Sequence, residues 1–348
     1  MISPDAPLRL TLDTEALVAN WRWLAQAGGR AACGAAVKAD AYGLGARQVV
    51  ERLAAAGCRD FFVATWAEAA ALGDWPDGLS LSVLHGVREA DVPFAQGSRA
   101  RPVLNSIGDV RRWRAAGGGP CDVMIDTGMN RLGLAPEDTR TALLDGLEIR
   151  TLMSHLACAD EDHAMNEAQL FTFRGLKGAI AATRYSLANS AGVCLGARYA
   201  FGLTRPGIAL YGGIPRPEAD GHIRQVVRVE AQVLQRRRVP QGGSVGYGAT
   251  FVAERATEIA VLNIGYADGY LRIFSGGTGR ARAGGVPLPV IGRVSMDLTA
   301  VDVSAMPDVA EGDWVEIDYN LSETARLSGL TQYELLTLLG RRYQRRWV

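Results

Sequence analysis

From residue 31 to about residue 212, short apolar runs alternate with stretches of helical period, eight times over. In order the strand-like runs are ACGAAVKA, DFFVATW, LSLSVLHG, ARPVLNS, CDVMIDTG, IRTLMSHLA, RYSLANS and LTRPGIALYG. Between them the spacing predicts helices over GARQVVERLAAAG, TWAEAAALGDW, IGDVRRWRAA, PEDTRTALLDG and AMNEAQLFTFRGLKGAIAATR, several ending at glycine as helix C-termini often do. Parallel strands cannot be joined by hairpins and need crossovers, so eight strand-then-helix units predict an α/β chain folded as a (β/α)8 barrel of the TIM type. A doubly wound open sheet shares the alternation, but no G-x-G-x-x-G follows the first strand.

After residue 222 the period changes from helical to two. IRQVVRVEAQVLQRRRV alternates apolar and polar, and SVGYGATF, EIAVLNIGYADG, LPVIGRVSMDLTAVDV and DWVEIDY follow, separated by Gly and Pro. The 348 residues therefore divide into a barrel over 12–222 and a mainly β C-terminal domain over 223–348. The strand LRLTLD at 8–13 has no barrel role, and the segment 1–11 is assigned to that second domain. A last helix is expected at about TQYELLTLLGRR.

Lysine plus arginine number 37, as do aspartate plus glutamate, so no global field attracts nucleic acid or an anionic membrane. A small-molecule partner is expected instead. Arg236-Arg237-Arg238 and the terminal RRYQRRW read as solvated faces. Five cysteines without a CxxC pair, and an opening MISPDAPLRL without a charged-then-apolar segment, predict a reduced, cytoplasmic protein. No apolar run approaches the roughly 18 residues that span a bilayer, and no metal site is expected.

Barrels of this type work at the C-terminal ends of their strands. Those ends carry Lys38 and Tyr42, His85, Asp126 and Arg131, His155, Asn189 and Ser190, and Arg205. Singly, each has an ordinary explanation: a satisfied core histidine, surface ion pairs, a helix cap. Jointly they fall too regularly behind apolar runs for that. Lys38 is the sharpest case, because burying an unpaired ammonium costs several kcal/mol. A desolvated lysine sheds its proton more readily, and the free amine condenses with a carbonyl to a Schiff base. The commonest biological carbonyl of this kind is pyridoxal phosphate, which also needs a phosphate cup and a partner for its ring nitrogen. NSAG at 189–192 and PGI at 206–208 offer a hydroxyl and backbone N–H groups for the first, and Arg205 is a candidate for the second.

The ordered motifs AVKADAYGLG, DTGMNRLG, SHLACAD followed by NEAQLFTF, ANSAG, RPGIALYG, VGYGATF, IGYADG, VIGRVSMD and YELL resemble those of the alanine racemases, fold-type III pyridoxal-phosphate enzymes, from end to end. The resemblance implies interconversion of L- and D-alanine, supplying D-alanine for peptidoglycan or serving alanine catabolism. It makes pyridoxal 5'-phosphate the cofactor, an amino acid the substrate and a homodimer with shared sites the working form. By resemblance Lys38 holds the cofactor and is one base, and Tyr247, supplied by the second subunit, is the other. Arg205 matches the arginine at the pyridine nitrogen, and His155 links it toward the tyrosine. Tyr42, Ser190, Gly207 and Ile208 match phosphate-binding positions. Arg131 matches the arginine beside the phenolic oxygen and the substrate carboxylate. Met296 and Asp297 line the substrate side from the partner chain, and Tyr266 stands at the entrance.

Chemistry agrees with those roles. Racemisation removes a proton from one face of the α-carbon and returns it on the other, which suits two opposed groups. Lysine and tyrosine both have reference pKa values near 10, so both must be lowered. Desolvation serves Lys38, and a charged Arg205–His155 relay favours the Tyr247 phenolate. Guanidinium keeps its proton, so Arg205 leaves the ring nitrogen unprotonated, weakens the electron sink and suppresses transamination. Tyr42, Tyr247, Tyr266 and Met296 crowding the α-substituent would favour a methyl group.

Two positions depart from the family pattern. Met124 stands where many members carry a carbamate-modified lysine, leaving Asn130 or a bound anion to support Arg131. Arg341, with Tyr343 nearby, stands where many have a tyrosine at the phosphate and the entrance. Serine or a basic amino acid as substrate stays open. A decarboxylase of diaminopimelate or ornithine type is disfavoured by arginine in place of a carboxylate at the ring nitrogen, and a single-barrel cofactor carrier by the presence of a β domain.

Overall fold

The computed structural model describes residues 6–140 and 142–348. The first five residues of the 1–11 segment, and Thr141 of PEDTRTALLDG, lie outside the described residues. Two units are present: Glu15–Arg224, and the N-terminal residues up to Thr14 together with Gln225–Val348.

In the first unit the strands Ala35–Ala36, Asp60–Val63, Ser80–Val83, Arg101–Leu104, Cys121–Met124, Ile149–Met153 and Arg184–Ser186 pair in that order, each parallel to the next. The eighth strand, Leu203–Thr204, runs parallel to Ala32–Cys33, the earlier half of the first. Backbone bonds from Gly202 to Tyr185 and from Arg205 to Ala188 tie it to the seventh, so the ladder closes into the barrel that the alternation predicts. Helices cover the outside and bury the strands on both faces, which is why they read as continuous apolar runs. Inside, Ala36, Phe62, Val103, Met124, Met153 and Leu203 pack into one apolar cluster. Met124, 8% exposed, is a member of that packed interior.

Helices form at Ala46–Ala56, Trp66–Leu72 and Ile107–Ala115 as expected. Two expectations need correction. PEDTRTALLDG folds as two 3-10 turns, Asp138–Arg140 and Ala142–Leu144. There the Asp138 carboxylate takes the Ala135 N–H at 3.2 Å and the Thr139 hydroxyl donates to Pro136 O, local bonds that compete with a helix. The long helix predicted from AMNEAQ stops at Leu176, because Lys177 is extended and Gly178 has φ +92°.

In the second unit Val227–Val239 organises the sheet. Its first half pairs with Leu8–Leu12 and Trp314–Ile317, its second with Thr257–Leu262. A register shift between Val233 and Gln235 lets this one 13-residue strand bend to serve both. Thr257–Leu262, Thr299–Asp302, Val286–Ile291, Arg280–Ala283 and Trp314–Ile317 complete a closed antiparallel ring with it. Leu8–Leu12 is pinned by Arg9, which pairs with Glu230 at 2.6 Å and lies over the Trp314 ring. Ser244–Val245 and Phe251–Val252 form a separate hairpin. The expected last helix is shorter, Gln332–Thr337, preceded by Leu321–Ser328 and followed by an unpredicted strand, Gln344–Trp347, parallel to Leu8–Leu12.

Candidate active site

Lys38 starts where the first strand ends, just after Val37 N–H donates to Phe62 O at 2.8 Å. The next four residues, Ala39, Asp40, Ala41 and Tyr42, turn left-handed with φ of 51, 53, 53 and 57°. That conformation costs an L-residue roughly 1–2 kcal/mol each, so the turn must be held from several sides. Within it, Ala41 N–H reaches Val37 O at 2.8 Å and Gly43 N–H reaches Ala39 O at 2.9 Å. Asp40 Oδ1 takes the Ala46 N–H at 2.7 Å, and Glu68 Oε1 takes the Ala39 N–H at 2.8 Å. Lys38 is thereby fixed at the barrel mouth.

The charges around it are mostly positive. Burial pushes the Lys38 amine below its ordinary value, Arg131 pushes the same way, and Glu68 opposes them. His155 is driven down to about 3, first by burial and then by Arg205, Arg131 and Lys38, so the imidazole is neutral. Arg205 is 6% exposed. Burial pushes it down to about 10, still far above neutrality. Its guanidinium donates to Ser186 Oγ and, at 2.5 Å, to Ser154 O. The positive charge of the expected relay therefore resides on Arg205, not on His155.

Beside these cations lies a buried cradle. Asn189 caps the short helix Ser190–Cys194 through its side chain, and this fixes Ser190. Ser190 Oγ accepts the Gly207 N–H at 2.9 Å and the Ala209 N–H at 3.3 Å. Gly207 precedes the 3-10 turn Ile208–Tyr211, and the Tyr42 hydroxyl presses so closely on Gly207 that a β-carbon there would overlap it. Tyr42 stacks at a tilt on Tyr211, 4.9 Å between ring centres, and Tyr211 Oη donates to Ala36 O. Tyr42 is thus a wall of the cradle.

The loop after the fifth strand is built by Asp126, whose two oxygens take the Gly128 N–H at 2.8 Å and the Arg131 N–H at 3.1 Å. Arg131 is exposed at its tip. Asn130, at φ +56°, turns its amide toward Gly128 O at 3.5 Å rather than toward the Arg131 guanidinium. His85 is exposed, with its N–H on Ala64 O.

The second unit carries the other candidates. Tyr247 sits at the tip of the hairpin, 73% exposed. Tyr266 begins the turn Tyr266–Asp268, and Met296 is 53% exposed. Their two loops are laced together by bonds from Tyr266 N–H to Ser295 O and from Ala267 N–H to Met296 O, each 3.0 Å. Arg342 then bridges them, donating to Asp268 and to Asp297 at 2.7 Å each. Tyr343 is buried and donates to Asp268 O at 2.9 Å, while Arg341 is exposed. Tyr343 thereby anchors the Tyr266 turn.

Three contributors escaped the sequence reading. Glu68 closes a capping box with Thr65, and T-x-x-E is the signal in the sequence that could have found it. Gln169, fully buried, accepts the Ala157 N–H and donates to Thr127 Oγ1 and His155 O, binding the fifth and sixth strand ends together. Arg342 was hidden in a basic run.

Family models described as the alanine racemase N-terminal domain and C-terminal domain match residues 12–215 and 226–347. The chain is 42% identical to a biosynthetic alanine racemase of Agrobacterium fabrum, over 99% of this chain and 94% of that one. It is 43% identical to a catabolic alanine racemase of the same organism, over 97% and 92%. Among solved structures, alanine racemase from Bartonella henselae with covalently bound pyridoxal phosphate superposes with a TM-score of 0.89 at 36% identity, covering 99% of this chain and all of that one (100%).

Proposed function

The chain belongs to the alanine racemase family, and on that premise we propose that it interconverts L-alanine and D-alanine with pyridoxal 5'-phosphate by a two-base mechanism using Lys38 and Tyr247. The observation that carries this reading is the barrel mouth, where Lys38, Arg131 and Arg205 crowd a neutral His155 beside the Ser190–Gly207–Tyr42 cradle. An excess of cations next to a hydroxyl and backbone N–H groups fits a ligand that brings a phosphate and a phenolate.

In this reading Ser190, Gly207, Ile208 and Tyr42 would hold the phosphate, and Lys38 Nζ would hold the carbonyl carbon until the amine of the substrate takes its place there and frees it to act as a base. Bound there, the cofactor supplies the electron sink that makes the α-proton of alanine removable. Arg205 faces the ring nitrogen and, keeping its own proton, leaves that nitrogen unprotonated. Arg131 orients the substrate carboxylate. Lys38 Nζ moves a proton on one face of the α-carbon and Tyr247 Oη on the other. His155, neutral, orients rather than charges the path between Arg205 and the tyrosine.

Tyr247 stands on an exposed hairpin tip, a position suited to entering another molecule. The working enzyme is a homodimer in which Lys38 of one subunit meets Tyr247, Tyr266, Met296 and Asp297 of the other. Tyr266 and Met296 limit the α-substituent to about a methyl group. The reaction supplies D-alanine for peptidoglycan or feeds alanine catabolism. Five free cysteines support a cytoplasmic setting, and among the described residues no helix is long and apolar enough to cross a membrane. Zero net charge gives no support to nucleic acid as a partner.

The test is one cuvette. A near-visible absorbance band of the purified protein, lost on borohydride treatment, and D-alanine formed from L-alanine in a coupled assay are the expected results. A band without D-alanine would overturn the substrate, and no band after adding pyridoxal phosphate would overturn the cofactor.

A further inference from the structure

The left-handed turn after Lys38 has a free end. Its internal bonds use carbonyls of Val37, Ala39 and Asp40, and leave the Ala39 N–H, which belongs to the peptide of Lys38 itself, to find an outside acceptor. That acceptor is Glu68 Oε1 at 2.8 Å. The other oxygen, Oε2, takes the Ala64 N–H at 2.6 Å and the Thr65 N–H at 3.4 Å, while Thr65 Oγ1 takes the Glu68 N–H. A helix cap is thus also a clamp between the ends of the first and second strands.

We infer that Glu68 is a positioning residue for Lys38, fixing the lysine turn through the Ala39 N–H and setting a negative charge against that turn among the cations of the mouth. The role rests on the proposed function of Lys38 and extends it. The other titratable groups of the mouth are Arg131 beyond the fifth strand, His155, neutral, after the sixth, Arg205 from the eighth, and Asp40 on the turn, whose Oδ1 is bound to the Ala46 N–H. Arg131 lowers the proton affinity of Lys38 and Glu68 raises it, so the two set opposite limits. Two acceptor oxygens at the reach of a glutamate make the clamp, and the charge tunes the amine.

Two variants divide them. Glu68→Gln removes the charge and, because an amide NH2 cannot accept, one side of the clamp as well; Glu68→Asp keeps the charge and both acceptor oxygens and shortens the reach. Cofactor-free full-length protein is mixed with pyridoxal phosphate at a series of pH values, reduced with borohydride, and the adduct at Lys38 counted by mass spectrometry. For Glu68→Gln the pH midpoint of trapping falls by about one unit, the size expected of a close charge partner. For Glu68→Asp the midpoint stays and trapping slows at least about threefold, as expected when a reactive group loses its fixed orientation. An unshifted midpoint in Glu68→Gln overturns the charge role, and wild-type trapping in Glu68→Asp overturns the clamp. Should Glu68→Gln fail to fold, Glu68→Asp alone still decides the clamp. Wild-type protein that traps nothing at Lys38 would instead overturn the cofactor assignment beneath the inference.

Discussion

Gly207 has no space for a side chain, because its missing β-carbon would fall on the Tyr42 hydroxyl. The two residues come from opposite ends of the barrel sequence and close the cradle with Ser190. Gly207→Ala must push Tyr42 outward, against Tyr211. Affinity for pyridoxal phosphate, read by absorbance titration, should fall roughly tenfold or more, about 1.4 kcal/mol per decade. Gly202→Ala, whose nearest neighbour would be Tyr185 O at 3.6 Å, is the control and should bind normally.

His155 carries a pH signature. Its folded value is about 3, below the unfolded reference near 6.5, so between these values the unfolded chain binds a proton that the folded chain refuses. Its contribution to stability is therefore present above the unfolded value and lost as pH falls through the window, at a slope approaching about 1.4 kcal/mol per pH unit. Urea midpoints measured from pH 7 to pH 4 should fall less steeply in His155→Gln than in wild type. Parallel curves would show that the imidazole titrates normally.

Arg342 joins the Tyr266 and Met296 loops through Asp268, which is nearly inaccessible, and Asp297, which is half-exposed. Arg342→Ala leaves the Asp268 carboxylate buried with only the Gly265 N–H. Because Arg342 is itself half-exposed, solvent screening limits the loss to roughly 1–3 kcal/mol. KM for alanine should rise several-fold with a smaller change in kcat if, as proposed, these loops position substrate. A lowered kcat at constant KM would place Arg342 elsewhere in the chemistry.

The two-base assignment predicts asymmetry. Tyr247→Phe should slow α-deuterium exchange from L-alanine far more than from D-alanine, whereas Lys38→Ala should abolish both activity and the borohydride-sensitive band. Equal slowing from both enantiomers would remove the one-sided role.

Shared sites predict complementation. Mixing inactive Lys38→Ala and Tyr247→Phe proteins should restore about a quarter of wild-type activity, since half of randomly reassorted dimers are mixed and each has one intact site of two. No recovery after verified subunit exchange would mean that both bases come from one chain.

What the sequence discloses here follows the range of the forces. The barrel was legible because each strand declares itself within a few residues, as in DFFV and CDVM, and the polar strand ends followed from counting. The PEDTRTALLDG turns were not, because side-chain bonds of Asp138 and Thr139 reverse the local propensity. The ring of the second unit depends on Val227–Val239 meeting strands from Thr257, 18 residues beyond Val239, to Ile317, 88 beyond Val229. Lys38 and Arg205 could be singled out by type and place. Glu68 and Gln169 could not, since their importance lies in backbone groups that only the folded chain brings to them.

Met124 closes the account of the barrel in chemical terms. A lysine at this place can take up dissolved carbon dioxide and owe its charge to it; a thioether, packed among Val103, Met153 and Leu203, has no such chemistry. The carbamate route by which dissolved carbon dioxide could act at this place is therefore closed in this mouth.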